Sequence, residues 1–141
     1  QWFPETARFL AVNGAELLYF PTAIGSEPIL SVDSMAHWRR VMQGHAAANL
    51  MPVTAANRIG LEEVFPPVRK MGVRNLLWSF YGSSFITDGT GELKASMDRT
   101  SEGVILAEFD LDELMEMRYS RIPVYRDSID NIIGILNIKD L

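Results

Sequence analysis

The sequence predicts a layered α/β protein of the α+β kind. Two features of its order carry that expectation: helix, strand, helix and strand alternate over the first sixty residues, and a run of short strands follows. Composition is the third. Of 141 residues, 48% are apolar and 22% charged, the balance of a globular chain with a core rather than of a disordered one.

The elements follow in order. Pro4 suits a first helical turn, where its missing N–H costs nothing, and Ala7, Leu10 and Ala11 continue at helical spacing until Asn13-Gly14 supplies a stop. Residues 15–20, AELLYF, read as a buried strand closed by Pro21. Residues 22–34 are loop-like. Asp33 or Ser34 then caps a helix over about 35–49, with Trp38, Val41, Met42 and His45 on one face. MPVTAANRIG reads as a strand ending in a turn. Two adjacent prolines break any element within 61–75, LEEVFPPVRKMGVRN. LLWSFYGSSFI reads as one strand, TDGTGE as an Asp-Gly turn, and about 92–97 and 103–110 as a strand pair. Asp110 caps a short helix, LDELMEMR. IPVYR and IIGILNI are two strands around a turn at DSIDN.

Charge and cysteine content exclude whole classes of function. The net charge of −5, with a pI near 5.0, leaves no basic surplus to displace phosphate counterions, so no nucleic-acid partner is expected. There is no cysteine, hence no disulfide, no thiolate metal site and no cysteine nucleophile within these residues. No apolar run reaches 18 residues and the first residues lack a signal-peptide pattern, so a cytoplasmic protein with no membrane partner is expected. His37 and His45 lie eight residues apart beside Trp38 and Met42. They read as packed or surface side chains, and as a metal pair they lack a third ligand at suggestive spacing.

Three long motifs say more: QWFPETARFLAVNGAELLYFPTAIGSEP, HWRRVMQGHAAANLMPVTAANRIG, and FYGSSFITDGTGELKASMDRTSEGVILAEFDLDELMEMRYS. In this order they resemble the nitrilase, or carbon–nitrogen hydrolase, superfamily over about 1–60 and 80–120, most closely its N-carbamoylputrescine amidase branch. The resemblance implies part of an αββα sandwich and an amidase that cleaves a carbamoyl or amide C–N bond without cofactor or metal. In that family a Cys attacks the carbon, a Glu is general base and a Lys steadies the oxyanion. The family's Cys lies in the pattern Cys-Trp-Asp-Gln-Trp-Phe-Pro-Glu, three residues before the position of Gln1, with the Glu and Lys further upstream. A piece of such an enzyme, inactive alone and with no catalytic residue of its own, is therefore expected. Ser83, Ser84 or Thr22 could stand in as nucleophile only with a base within hydrogen-bond reach.

The resemblance also implies a substrate-binding set: Gln1, Trp2, Thr22, Ala23, Ile24 and Glu27. Gln1 and Trp2 match the positions after the nucleophile. Relatives that cleave N-carbamoyl amino acids use arginines there for the substrate carboxylate, which Gln1 and Trp2 cannot replace. With Pro21, the residues Thr22, Ala23 and Ile24 match the strand-end loop beside the reacting carbon. Glu27 matches the acidic residue that faces the distal ammonium of a carbamoylputrescine-type substrate, a suitable charge-assisted contact. Read from the residues alone, Glu27 is a solvated loop charge and Trp2 a packing residue. Arg39 and Arg40 read as surface or intersubunit ion-pair formers.

Two stretches depart from the pattern. Residues 61–79 are longer and more apolar than the family's charged turn. After MRYS the chain continues as RIPVYRDSIDNIIGILNIKDL, which resembles a CBS domain of the hemolysin and magnesium/cobalt-efflux type. The organisation expected is thus 1–120, a partial hydrolase domain, and 121–141, a CBS-like β-hairpin. The second resemblance implies that Asp140 binds nucleotide ribose hydroxyls. Two alternatives to the amidase reading stand beside it: an adenine-nucleotide-sensing CBS-type module, and a non-catalytic self-associating domain whose apolar faces favour a homo-oligomer.

Overall fold

The structure, a computed structural model, describes residues 1–26, 32–64, 76–118 and 121–137. Pro4 opens helix α1 (Pro4–Val12), and Gly14, at φ +92°, ends it. The Gly14 N–H reaches the Ala11 carbonyl at 3.2 Å and the Ala15 N–H reaches Leu10 at 3.0 Å, the paired bonds of a Schellman motif, so the Asn13-Gly14 stop is borne out. Strand β1 (Leu18–Thr22) begins later than expected and runs through Pro21 rather than ending before it. It lies at the edge of its sheet, where a residue without an N–H is tolerated. The loop after it holds a two-residue strand, β2 (Gly25–Ser26).

Helix α2 (Met35–Asn49) has the predicted bounds, and the Asp33 carboxylate accepts the Met35 N–H at 3.0 Å. Its inner face buries Trp38, Met42, His45 and Ala46. Strand β3 (Val53–Asn57) follows and lies parallel to β1, pairing Leu18 with Val53 and Thr22 with Asn57. Parallel pairing requires a crossover, and α2 supplies it.

Strand β4 (Leu61–Val64) pairs antiparallel with β5 (Leu76–Phe80), and β5 also pairs with β2, giving a three-stranded sheet in the order β2-β5-β4. The expected single strand over 76–86 is instead two, β5 and β6 (Phe85–Thr87). Between them Gly82 and Ser83 both take positive φ, at +53° and +54°, which turns the chain into the other sheet. Strand β7 (Leu93–Ser96) completes a four-stranded sheet in the order β1-β3-β6-β7. Its register skips from Ala95 to Leu93 against β6, so Lys94 sits in a bulge.

Leu18, Val53, Ala55 and Phe85 from this sheet meet Ala7 of α1 and Trp38, Met42 and Ala46 of α2 in one core. Trp38, with none of its surface exposed, stands edge-on to Phe85 at 5.3 Å between ring centres. The expected strand over 103–110 does not form. Val104 and Leu106 are 86% and 85% exposed, and among the described residues no strand pairs with this stretch.

Two contact units divide the chain, 1–108 and 109–141. In the second, helix α3 (Leu111–Arg118) is capped as expected, the Asp110 carboxylate accepting the Glu113 N–H at 3.0 Å. Strands β8 (Arg121–Arg126) and β9 (Ser128–Asn137) form an antiparallel hairpin. The chain reverses at Asp127, φ +65°, rather than over all of DSIDN; Arg126 pairs with Ser128 and Tyr125 with Ile132, leaving 129–131 as the irregular part. Among the described residues no helix is long and apolar enough to cross a membrane.

The turns of the first unit are held by carboxylates. Asp88 accepts from the N–H and hydroxyl of Thr90 at 2.8 and 2.7 Å, from the Glu92 N–H at 3.1 Å, and from Lys94 of the bulge at 3.0 Å. Burial raises its pKa, but the bonds from Thr90, Lys94 and Glu92 outweigh that and lower it to about 2. Asp98 accepts the Thr100 and Ser101 N–H groups, both at 2.7 Å, and the Ser101 hydroxyl, which also lowers it to about 2. Both folded values lie below the ordinary 3.8, so the stabilisation is complete above that pH and is lost as the pH falls towards 2. Melting temperatures across this window are expected to fall less steeply for Asp88→Asn than for the parent, and identical slopes would refute the assignment.

Gly91, at φ +88°, docks the turn on α2. The Gln43 amide donates to its carbonyl at 2.9 Å, and a Cβ there would lie 2.7 Å from the Gln43 carbonyl oxygen. Gly91→Ala therefore combines an unfavourable backbone with a clash and is expected to cost about 1–3 kcal/mol in urea unfolding. An unchanged unfolding midpoint would show that the turn does not depend on this contact.

Candidate functional site

Parallel pairing of β1 with β3 places their C-terminal residues, Thr22 and Asn57, side by side. The chain beyond Thr22 is then tied to Asn57 rather than left to solvent. The Asn57 side-chain oxygen accepts the Ile24 N–H at 2.7 Å and lies 3.1 Å from the Thr22 hydroxyl. The Asn57 amide nitrogen donates to the Ile24 carbonyl at 3.0 Å and to the Gly82 carbonyl at 2.9 Å. The Tyr81 N–H also reaches the Ile24 carbonyl, at 3.0 Å. Ala23, exposed, stands at the apex of this turn with a tethered residue on either side.

A second anchor holds the far end of the loop. The buried Tyr81 hydroxyl accepts the Ser34 N–H at 2.9 Å and lies 3.3 Å from both the Ser26 hydroxyl and the Val32 carbonyl. Burial raises the phenol's pKa, and the bonds from Ser26 and Ser34 more than offset it, leaving it below the ordinary tyrosine value. Arg99 lies over the Tyr81 ring at 5.3 Å and pairs with Asp33 at 2.6 Å. Gly82 fits its place because a Cβ there would lie 2.5 Å from the Arg99 carbonyl oxygen.

An open cleft of about 420 Å³ lies against these turns, lined by Asn57, Arg58, Gly82, Ser84, Asp98 and Ser101 among others. The hydroxyls near it are occupied. Ser83 donates to the Tyr81 carbonyl at 2.9 Å, Ser84 accepts the Asn57 N–H at 2.9 Å, and Thr22 lies 3.1 Å from the Ala56 carbonyl. None of these three is bonded to a basic side chain, so none is prepared as a nucleophile. Among the described residues no three His, Cys, Asp or Glu side chains gather as a metal site requires.

Of the residues singled out from the sequence, Thr22, Ala23 and Ile24 come together in one tethered turn. Gln1 and Trp2 are held beside α2. The Gln1 carbonyl accepts from His45 Nε2 at 2.8 Å, and Trp2 lines a groove of about 430 Å³ with Pro4, Arg8 and Val41, its ring 5.4 Å from His37. That groove includes none of Thr22, Ala23 and Ile24. Glu27 and Asp140 lie outside the described residues. His45 is buried, its ring stacked on Phe20 at 6.2 Å, in keeping with the packing role expected of it.

Arg39 departs from the surface ion pair expected of it. It is half-buried over the Phe85 ring at 5.3 Å and donates to the Ser83 carbonyl at 3.2 Å. Burial first, and the Arg99 charge second, lower its pKa from the ordinary arginine value. Arg40 is exposed and donates to the Ala36 carbonyl at 3.1 Å. The residues that sequence reasoning passed over are Asn57, Tyr81 and Gly82. Asn57 stood inside NRIG at the end of a predicted strand, the one available signal.

Known proteins are similar to this chain in sequence and in fold. N-carbamoylputrescine amidase of Arabidopsis thaliana is 48% identical over 141 residues, covering 99% of this chain and 45% of the plant enzyme. Citrullinase of Francisella tularensis subsp. tularensis is 50% identical over 120 residues, covering 84% of this chain and 39% of that protein. The chain thus spans less than half the length of these relatives. The crystal structure of a carbon–nitrogen hydrolase from Helicobacter pylori G27 superposes with a TM-score of 0.66 at 36% identity, covering 83% of this chain and 39% of that one. The carbon–nitrogen hydrolase family model matches residues 1–119, and with the mixed α/β fold and the strand-end turn in place, the chain belongs to the carbon–nitrogen hydrolase family.

Proposed function

We propose that this chain forms part of an amidohydrolase that cleaves the ureido C–N bond of a small N-carbamoyl amine, and that it supplies one wall of the reaction pocket through Thr22, Ala23 and Ile24. The observation that carries the reading is the chemistry common to two relatives of about equal identity. One is named for N-carbamoylputrescine and the other for citrulline. Both molecules end in a ureido group on a short aliphatic chain with an amine at the far end. Hydrolysis adds water across that group and releases the amine, ammonia and carbon dioxide.

Binding by Gln1, Trp2 and Glu27 belongs to the same proposal, with Glu27 facing the distal ammonium. The match to the plant amidase over 99% of the chain supports reading the last residues as part of the same protein. The nucleotide-sensing alternative rests on Asp140, which lies outside the described residues. The wall provides no thiol, and no hydroxyl of Thr22, Ser83 or Ser84 is paired with a base. The 141 residues alone are therefore expected to turn over nothing.

Ammonia release from N-carbamoylputrescine and from citrulline, by the native gene product and by the isolated 141 residues, tests this. Turnover by the first and none by the second is the expected result. Activity of the isolated chain would refute the need for a thiol, and a native product inactive on both ureido compounds would refute the reading of function. Exposed apolar side chains on and around α1, Phe3, Phe9, Leu10 and Val12, support a homo-oligomer, for which light scattering is expected to give a mass at least twice that of one chain. A strictly monomeric mass would count against it.

A further inference from the structure

We propose that Asn57 is a positioning residue for this reaction, fixing the Thr22–Ile24 turn before substrate arrives; the inference rests on the function proposed above. A carboxamide offers two acceptor lone pairs and two donor hydrogens, and Asn57 commits both hydrogens and one lone pair to the two turns. Its oxygen takes the Ile24 N–H, its nitrogen gives to the Ile24 and Gly82 carbonyls, and the Thr22 hydroxyl is shared between the Asn57 oxygen and the Ala56 carbonyl, 3.1 Å from each. The orientation is unambiguous, because the Ile24 N–H can only donate and the two carbonyls can only accept.

No other side chain reproduces this set. Aspartate keeps the acceptors and sets a charge against two carbonyl oxygens, leucine has the shape and none of the bonds, and glutamine adds a methylene that displaces the amide. The tether is also double-ended. Gly82 is held by a bond from its own N–H to the Arg58 carbonyl at 2.8 Å, so the strand-end turn is referenced to the chain just beyond β3. Ile24 in turn packs against the core shared by α1, α2 and the sheet. Such a turn presents the Ala23 region in one geometry, which lowers the reorganisation needed to reach the transition state and is therefore expressed in kcat.

The test uses the native gene product and its Asn57→Leu and Asn57→Asp variants. Their kcat and KM for N-carbamoylputrescine are measured well below the melting temperature of each variant, alongside hydrogen exchange at the Ile24 amide. The expected result is a fall in kcat of about 100-fold for Asn57→Leu, a smaller change in KM, and faster exchange at Ile24. Asn57→Asp, which keeps the acceptors, is expected to lose less of the Ile24 protection and about tenfold in kcat, and it carries the test if the leucine variant does not fold. A purely structural residue would lower the melting temperature and leave kcat alone. An active parent whose variants keep kcat within about twofold overturns this inference by itself. A parent that releases no ammonia from either N-carbamoylputrescine or citrulline overturns the function and this inference together.

Discussion

Parallel pairing between β1 and β3 is the constraint on which the rest of the first unit depends. Two strands that run the same way cannot be joined by a tight turn, so the chain must cross over, and α2 is the crossover. That single requirement places the buried face of α2 on the sheet, with Trp38 and Met42 over Val53, Ala55 and Phe85. It also brings two strand ends level, which is why Thr22 has Asn57 for a neighbour. In open sheets with parallel strands, loops at the carboxyl ends are where ligands are met. The turn that the family resemblance assigns to substrate lies at such an end.

Around that end the polar groups form a closed account rather than a loose loop. Asn57 ties the near side and Tyr81 the far side. Both draw on the Tyr81–Ser84 segment, where consecutive residues with positive φ send the chain from one sheet to the other. A glycine and a serine in the left-handed region are the conformational cost of that change of sheet. The same two residues give their carbonyls to Asn57 and Arg39. Strain and site support are therefore located in the same four residues.

Much of this was legible in the sequence, for identifiable reasons. Pro4, Asn13-Gly14, Asp33 and Asp110 act through local chemistry, and the helix ends they predict are where the structure has them. The strands were less legible because their limits are set by partners. The reading of 76–86 as one strand failed at Gly82-Ser83, whose backbone angles answer to Arg99 and Asp98 rather than to neighbours in sequence. Residues 103–110 have the alternation of a strand and none of the pairing. For the site, Thr22, Ala23 and Ile24 are assigned by resemblance. Asn57, which holds them, was hidden because its importance lies in contacts more than thirty residues away. The amidase likeness was written in long ordered motifs, which survive where single spacings are ambiguous.

The two outer strands of the larger sheet each carry a device that discourages further strand pairing. On β1 it is Pro21, a position with no N–H to offer, and on β7 it is the bulge that turns Lys94 towards Asp88. Proline, charge and local twist are the ordinary means by which edges are kept from recruiting a foreign strand. Among the described residues, each margin thus resists, at one position, the addition of a foreign strand into a fibril: Pro21 has no N–H to give, and the bulge at Lys94 breaks the flat ladder that a new strand would need.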